Sequence, residues 1–222
     1  MNAAVKDVMT THVVAVTKEA SFKDVAALLR QHRVSLFPVV DAAGKVIGVV
    51  SETDMLPKEA LIAGLPEQGP GPDASVHDHN DFVKAIGVTA ASIMTTAPIT
   101  ITPDEPVTSA ARLMYSCKVR SLPVVTENGY LTGIISRADV LSVYGRPDGQ
   151  IGQEITQDLI ATEFGADPGR FIVTVKDGIV TLAGHPDTAQ QGRNILAEAW
   201  HIEGVISVRD RLTYPEGTSS DV

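Results

Sequence analysis

The chain has 222 residues, 44% of them apolar, a net charge of −9 at pH 7 and one cysteine, Cys117. This composition suffices for one or two globular cores, contains nothing near the roughly 18 apolar residues of a membrane span, and excludes an internal disulfide or a cysteine-based zinc site. The acidic balance also argues against nucleic acid as a partner, because a negative surface repels the phosphate backbone.

From the N-terminus, residues 1–7 lack the apolar stretch of a secretory signal, so a reducing, cytoplasmic setting is expected. Residues 5–9 predict a short helical lead-in and residues 13–16 a first strand. Ser21 is placed to cap a helix whose apolar face is Phe22, Val25, Ala26, Leu28 and Leu29, at three- and four-residue spacings. Residues 36–40 predict a second strand, turned at residues 41–44 into a third over residues 45–50. Ser51 then begins another helix with Asp54 in its first turn.

Shifting the sequence by 85 residues aligns 5–56 with 90–141 without a gap and with 15 identities in 52 pairs. They include Met9/Met94, Thr10/Thr95, Thr11/Thr96, Pro38/Pro123, Gly44/Gly129, Gly48/Gly133, Ser51/Ser136 and Asp54/Asp139. Chance does not hold one register through so many Gly and Pro positions, so the halves are two copies of one β-α-β-β-α fold. Each copy alone has a small core, and the pair is expected to pack sheet to sheet about a pseudo-twofold axis. Cys117, on the second copy's predicted helix, is expected to be packed.

The corner Gly48-x-x-Ser51-x-x-Asp54, repeated as Gly133-x-x-Ser136-x-x-Asp139, combines groups that suit a sugar phosphate. Glycine lets a ligand approach the backbone, the Ser hydroxyl and helix-start amides hold an anion, and the Asp accepts two sugar hydroxyls. Glu52 follows the first Ser and Arg137 the second, while Ser35 is matched by Arg120. Two cations at the second corner would favour phosphate there, so the Asp139 cleft is expected to bind a nucleotide better than the Asp54 cleft. Neither Ser has a His or second carboxylate beside it in the pattern, so no catalytic residue is expected.

Between the copies, Pro66 and Gly69-Pro70-Gly71-Pro72 predict an exposed excursion ending in a short helix over residues 81–86. His77, His79, Asp78 and Asp81 are read as a solvated run rather than a metal site. After a break at residues 145–149, residues 151–160 predict a helix and residues 171–175 and 179–183 a hairpin turned at Asp177-Gly178. A helix starting at Asp187 or Thr188 and a last strand over residues 205–212 follow, with Trp200 expected in the core. Residues 151–222 carry 5 Lys+Arg against 11 Asp+Glu, a net −6.

With Met-Thr before the first strand, Leu-Phe-Pro-Val-Val or Ser-Leu-Pro-Val-Val in the second and the Gly-x-x-Ser-x-x-Asp corner, the duplicated part resembles a tandem pair of CBS domains. Residues 175–184 and 203–212, with Gly178, Gly184 and Gly204, resemble a BON domain. The resemblance implies an α/β and α+β chain: CBS repeats over residues 1–60 and 88–145, a linker over 61–87, a BON domain over 150–215 and a disordered tail over 216–222. It further implies a regulatory, non-enzymatic sensor of AMP, ATP or S-adenosylmethionine, requiring no other cofactor and forming a homodimer. The implied ligand residues are Asp139, Ser136, Arg137, Arg120, Gly133, Thr96 and Val119 at one cleft, and Asp54, Ser51, Gly48, Thr11 and Val34 at the other. BON domains are proposed to contact phospholipid; the net −6 of this one argues against simple electrostatic adhesion to an anionic leaflet, and Lys176, Arg209 and Arg211 are read as a solvated edge in preference to a local patch. The alternative is an envelope- or stress-associated interaction protein whose BON domain touches lipid or protein and whose CBS pair only dimerises.

Overall fold

The computed structural model describes residues 3–62 and 75–214. The Pro/Gly cluster at residues 66–72 and the tail at 216–222 lie outside the described residues. The chain divides into two compact units, Ala4–Arg137 and a second from Ala138 onward that includes residues 1–3. The division falls in the first turn of a helix, earlier than the Gly/Pro break at residues 145–149.

In the first copy the elements are α1 (Val5–Val8), β1 (Val16–Thr17), α2 (Phe22–His32), β2 (Leu36–Val40), β3 (Val46–Ser51) and α3 (Glu52–Ile62). The helix α4 (Val76–Ile86) follows, and the second copy runs α5 (Ala90–Ile93), β4 (Thr95–Thr96), α6 (Val107–Ser116), β5 (Ser121–Val125), β6 (Leu131–Ser136) and α7 (Arg137–Ser142). Ser21 caps α2 as expected, its Oγ accepting from Asp24 N at 3.2 Å. Both copies share their irregularities. Each antiparallel hairpin slips register at one place, Val39/Val40 and Val124/Val125. Arg33 and Lys118 each take a left-handed φ at the end of the first long helix of their copy, 54° and 56°.

Each copy's lead-in crosses to the other copy. β4 adds to the first sheet, giving the order β1-β2-β3-β4, with Gly48 opposite Thr96 and Val49 opposite Thr95. Reciprocally, Thr10 and Ile134 exchange both backbone hydrogen bonds at 2.9 Å. The lead-in helices follow: Ala90 and Ile93 of α5 lie in the first copy's core with Val16, Val25, Phe37 and Val50. Val5 of α1 is fully buried, its N–H donating to the Glu105 carbonyl at 2.8 Å.

This exchange gives Gly48 and Gly133 a packing role. A Cβ at Gly133 would lie 2.5 Å from Met9 Sδ, and one at Gly48 would lie 2.6 Å from Met94 Sδ. The glycines admit the other copy's Met-Thr segment. Three expectations change. The segment between the copies is more helical than its Pro and Gly content implies: α3 runs through Pro57 to Ile62, and α4 takes in residues 76–80 as well as 81–86. Packing of α3 on α4 outweighs the one N–H that Pro57 lacks; Lys58 Nζ, for instance, donates to the Ala85 carbonyl at 2.6 Å. Cys117 ends α6 and is exposed, and Trp200 is 51% exposed instead of buried.

In the second unit, α8 (Asp148–Glu154) continues into π-helical turns over Ile155–Glu163. The three-stranded sheet has β7 (Phe171–Lys176) antiparallel to β8 (Ile179–Gly184) and β8 parallel to β9 (Ser207–Leu212), with α9 (Ala189–Ala199) as the crossover. Asp177 and Gly178 take left-handed φ values at the tight turn, 52° and 72°. The Asp148 carboxylate accepts both of their N–H groups, at 2.8 and 2.9 Å. Ile151, Ile155, Leu159, Ile160, Val180, Leu182 and Ile195 form the core on one face of the sheet.

Gly133→Val should lower the unfolding free energy by about 1–3 kcal/mol through the clash with Met9. Combining it with Met9→Ala should cost less than the sum of the two single changes, as measured by urea denaturation.

Candidate functional site

The first copy's strand-to-helix corner is built by β3 ending at Ser51 and α3 starting at Glu52, which puts Asp54 in the first helical turn. Asp54 is 6% exposed and is the one buried charged residue among those described. Its Oδ2 accepts from Ser51 N at 2.7 Å and from Ser51 Oγ at 2.6 Å. Its Oδ1 accepts from Thr95 Oγ1 at 3.1 Å and from Lys84 Nζ of α4, which also donates to Thr95 Oγ1 at 3.3 Å. The carboxylate is therefore both a helix cap and the partner of an ammonium from outside the repeat.

This corner opens into a cavity of about 320 Å³. The first copy lines it with Ser35, Leu36, Val49 and the run Ser51–Asp54, and the second copy with Thr95 and the run Lys118–Ser121. The cavity thus has lining from the apolar Leu36, Val49 and Val119, from a hydroxyl-bearing helix start with Glu52 and Asp54, and from two cations, Lys118 and Arg120. Its volume lies within the range of small-ligand sites.

Several expected site residues move. Val119 and Arg120, expected with Asp139, line the cavity that holds Asp54, because the second copy's segment before its second strand reaches the first copy's corner. Arg137 is not beside Arg120 in that cavity. Its Nε donates to the Val119 carbonyl at 3.2 Å, and its N–H donates to the Arg120 carbonyl at 3.0 Å. Val34 is 38% exposed, and its neighbours Ser35 and Leu36 take the lining positions. Thr11 and Thr96 are exposed, and Thr95 rather than Thr96 points to the corner. In the second copy, β6 ends at Ser136 and α7 places Asp139 in its first turn, the same local arrangement as the first.

Lys84, Lys118 and Thr95 were not legible as site residues. Thr95 had one signal, its identity with Thr10 in the repeat. Lys84 had none, since it lies outside the duplicated register. Among the described residues no group of three or more His, Cys, Asp or Glu side chains is arranged to hold a metal, and no helix is long and apolar enough to cross a membrane.

Comparison with known proteins places these features. A model of the CBS domain matches residues 5–59 and 90–146, and a model of the BON domain matches residues 147–216. An uncharacterized protein of Methanocaldococcus jannaschii is 30% identical over 152 residues, covering 62% of this chain and 88% of that protein. The chloroplastic CBS domain-containing protein CBSX1 of Arabidopsis thaliana is 31% identical over 137 residues, covering 59% of this chain and 57% of its own length. This chain thus spans little more than half of that plant relative. The crystal structure of CBSX2 in complex with AMP superimposes with a TM-score of 0.54 at 28% identity, covering 63% of this chain and 94% of that one.

Removing the Asp54 carboxylate should cost about 3 kcal/mol of stability in Asp54→Ala, because the Lys84 ammonium is left partly buried without its partner. Asp54→Ala with Lys84→Met should regain part of that loss, read from the urea midpoint.

Proposed function

The chain belongs to the CBS-domain family, as a tandem pair followed by a BON domain, and from that premise we propose that it is a non-enzymatic regulatory protein that senses an adenosine-containing ligand. The ligand class is AMP, ATP or S-adenosylmethionine, and the site is the cavity between the Ser51–Asp54 corner and the Lys118–Ser121 run. The observation that carries this reading is the cavity itself, in which one copy supplies a hydroxyl, helix-start amides and a carboxylate, and the other supplies two cations. The AMP complex of CBSX2 supports AMP as the first ligand to test.

In this reading Leu36, Val49 and Val119 border the base, Asp54 meets the ribose, and Ser51 with Lys118 and Arg120 holds phosphate. The asymmetry read from the sequence is redrawn in this reading: Arg120 serves the Asp54 cavity. A ligand that prefers one arrangement of the two copies shifts how the pair presents its BON domain or a partner-binding face. Leu56 on α3 with Val83 and Ile86 on α4 are each more than half exposed, which supports their use in a homodimer. The exposed Cys117 thiol fits a reducing, cytoplasmic setting.

AMP should stabilise the protein saturably, by about 2.7 kcal/mol at a hundred times its Kd. Arg120→Ala should weaken AMP binding by about tenfold in calorimetry through loss of a charge-assisted hydrogen bond, and Asp139→Ala should leave that binding event in place. No stabilisation by AMP, ATP or S-adenosylmethionine would remove the reading.

A second reading, in which the BON domain makes the functional contact and the CBS pair only dimerises, also has an observation behind it. Sheet register puts Lys176, Arg209 and Arg211 on the face opposite Val180 and Leu182, together with Ile172, Thr174, Thr181, Ala183 and Ser207 and no carboxylate. An acidic domain thus keeps one cationic sheet face. If this face contacts phosphate-bearing lipid, the full chain should sediment with anionic vesicles at low salt, and Arg209→Glu with Arg211→Glu should abolish it. No sedimentation of the unaltered chain would count against the lipid form of this reading.

A further inference from the structure

We propose that Lys84 is a built-in competitor for the Asp54 cavity: its ammonium occupies the carboxylate that an adenosyl ligand has to engage, so that binding there requires the ammonium to leave and loosens α4 on α3. This deepens the reading of the cavity given above and rests on it.

The argument starts from the bonding of Asp54. A carboxylate has about four acceptor positions, and here Ser51 N, Ser51 Oγ, Thr95 Oγ1 and Lys84 Nζ use them. Ser51 belongs to the corner and Thr95 to the strand exchanged into the first sheet, so both stay when the fold stays. Lys84 is different. It comes from a helix outside both copies, since the duplicated register covers residues 5–56 and 90–141. Its side chain is 21% exposed, so a path to solvent remains open to it, whereas the Asp54 side chain is 8% exposed.

Two sugar hydroxyls approaching Asp54 therefore meet a carboxylate already satisfied on both oxygens. The ammonium is the one donor that can leave without unfolding the corner. Its departure removes a polar tie between α3 and α4, which Lys58 Nζ on the Ala85 carbonyl also links. Occupancy of the cavity is thereby coupled to the seating of α4.

A competitor in place nine-tenths of the time lowers apparent affinity about tenfold. Titration calorimetry of AMP into the full chain and into its Lys84→Met variant should show AMP binding the variant about tenfold or more tighter. Hydrogen exchange of the unaltered protein is the second measurement, and it stands whether or not the variant folds. Saturating AMP should speed exchange of the α4 amides over residues 80–86. AMP affinity that is unchanged or weaker in Lys84→Met, or α4 exchange that is unchanged or slowed by AMP, would overturn the competitor while leaving the cavity reading intact. AMP binding to neither protein would overturn both.

Discussion

The exchange of the two Met-Thr segments is the constraint on which the first unit depends. Each copy has only two long strands and two helices around its own core, too little apolar surface to be stable alone. Passing Thr95 and Thr96 onto β3, and Thr10 onto Ile134, makes each sheet complete only with a piece of the other copy. The helices α1 and α5 follow and are buried there. A Gly opposite each Met leaves room for its sulfur, which a Cβ there would displace.

The same exchange makes the site. Thr95 reaches Asp54 because its strand is part of the first sheet, and Lys118–Ser121 reach the cavity because the second copy is turned towards the first. Functional groups that are 41 and more residues from Asp54 in sequence become its neighbours. Asp54 is buried, and a buried carboxylate without partners would be costly. Ser51, Thr95 and Lys84 meet that demand, so the corner is stable without a ligand, and any ligand competes against bonds the protein already has. This is the physical difference between a corner that merely caps a helix and one whose occupancy can be regulated.

The second unit obeys a simpler rule. Its hairpin turn at Asp177-Gly178 and the crossover α9 put every large apolar strand residue of one face against α8 and α9, and leave the other face to Lys176, Arg209 and Arg211. The π-helical turns after α8 shift the helical register so that Ile155, Leu159 and Ile160 all reach the core. Trp200, expected among them, instead follows the last turn of α9 at the surface.

By itself, the sequence determined the duplication, the β-α-β-β-α order of the first copy, the Ser21 cap, the Asp177-Gly178 turn and the two Ser-x-x-Asp corners, because these follow from local propensity and from an 85-residue period visible along the chain; in the second copy the first strand is Thr95–Thr96, on the first copy's sheet, and not residues 99–101. The sequence also carried the three-strand form of the second unit. Only the tertiary structure decided what each corner faces: that Gly48 and Gly133 hold methionines, that Arg120 and Val119 serve the Asp54 cavity, and that Lys84 sits on the Asp54 carboxylate. Those pairings join residues far apart in sequence through the packing of two copies, and no periodicity or motif within one copy encodes which surface the other will present.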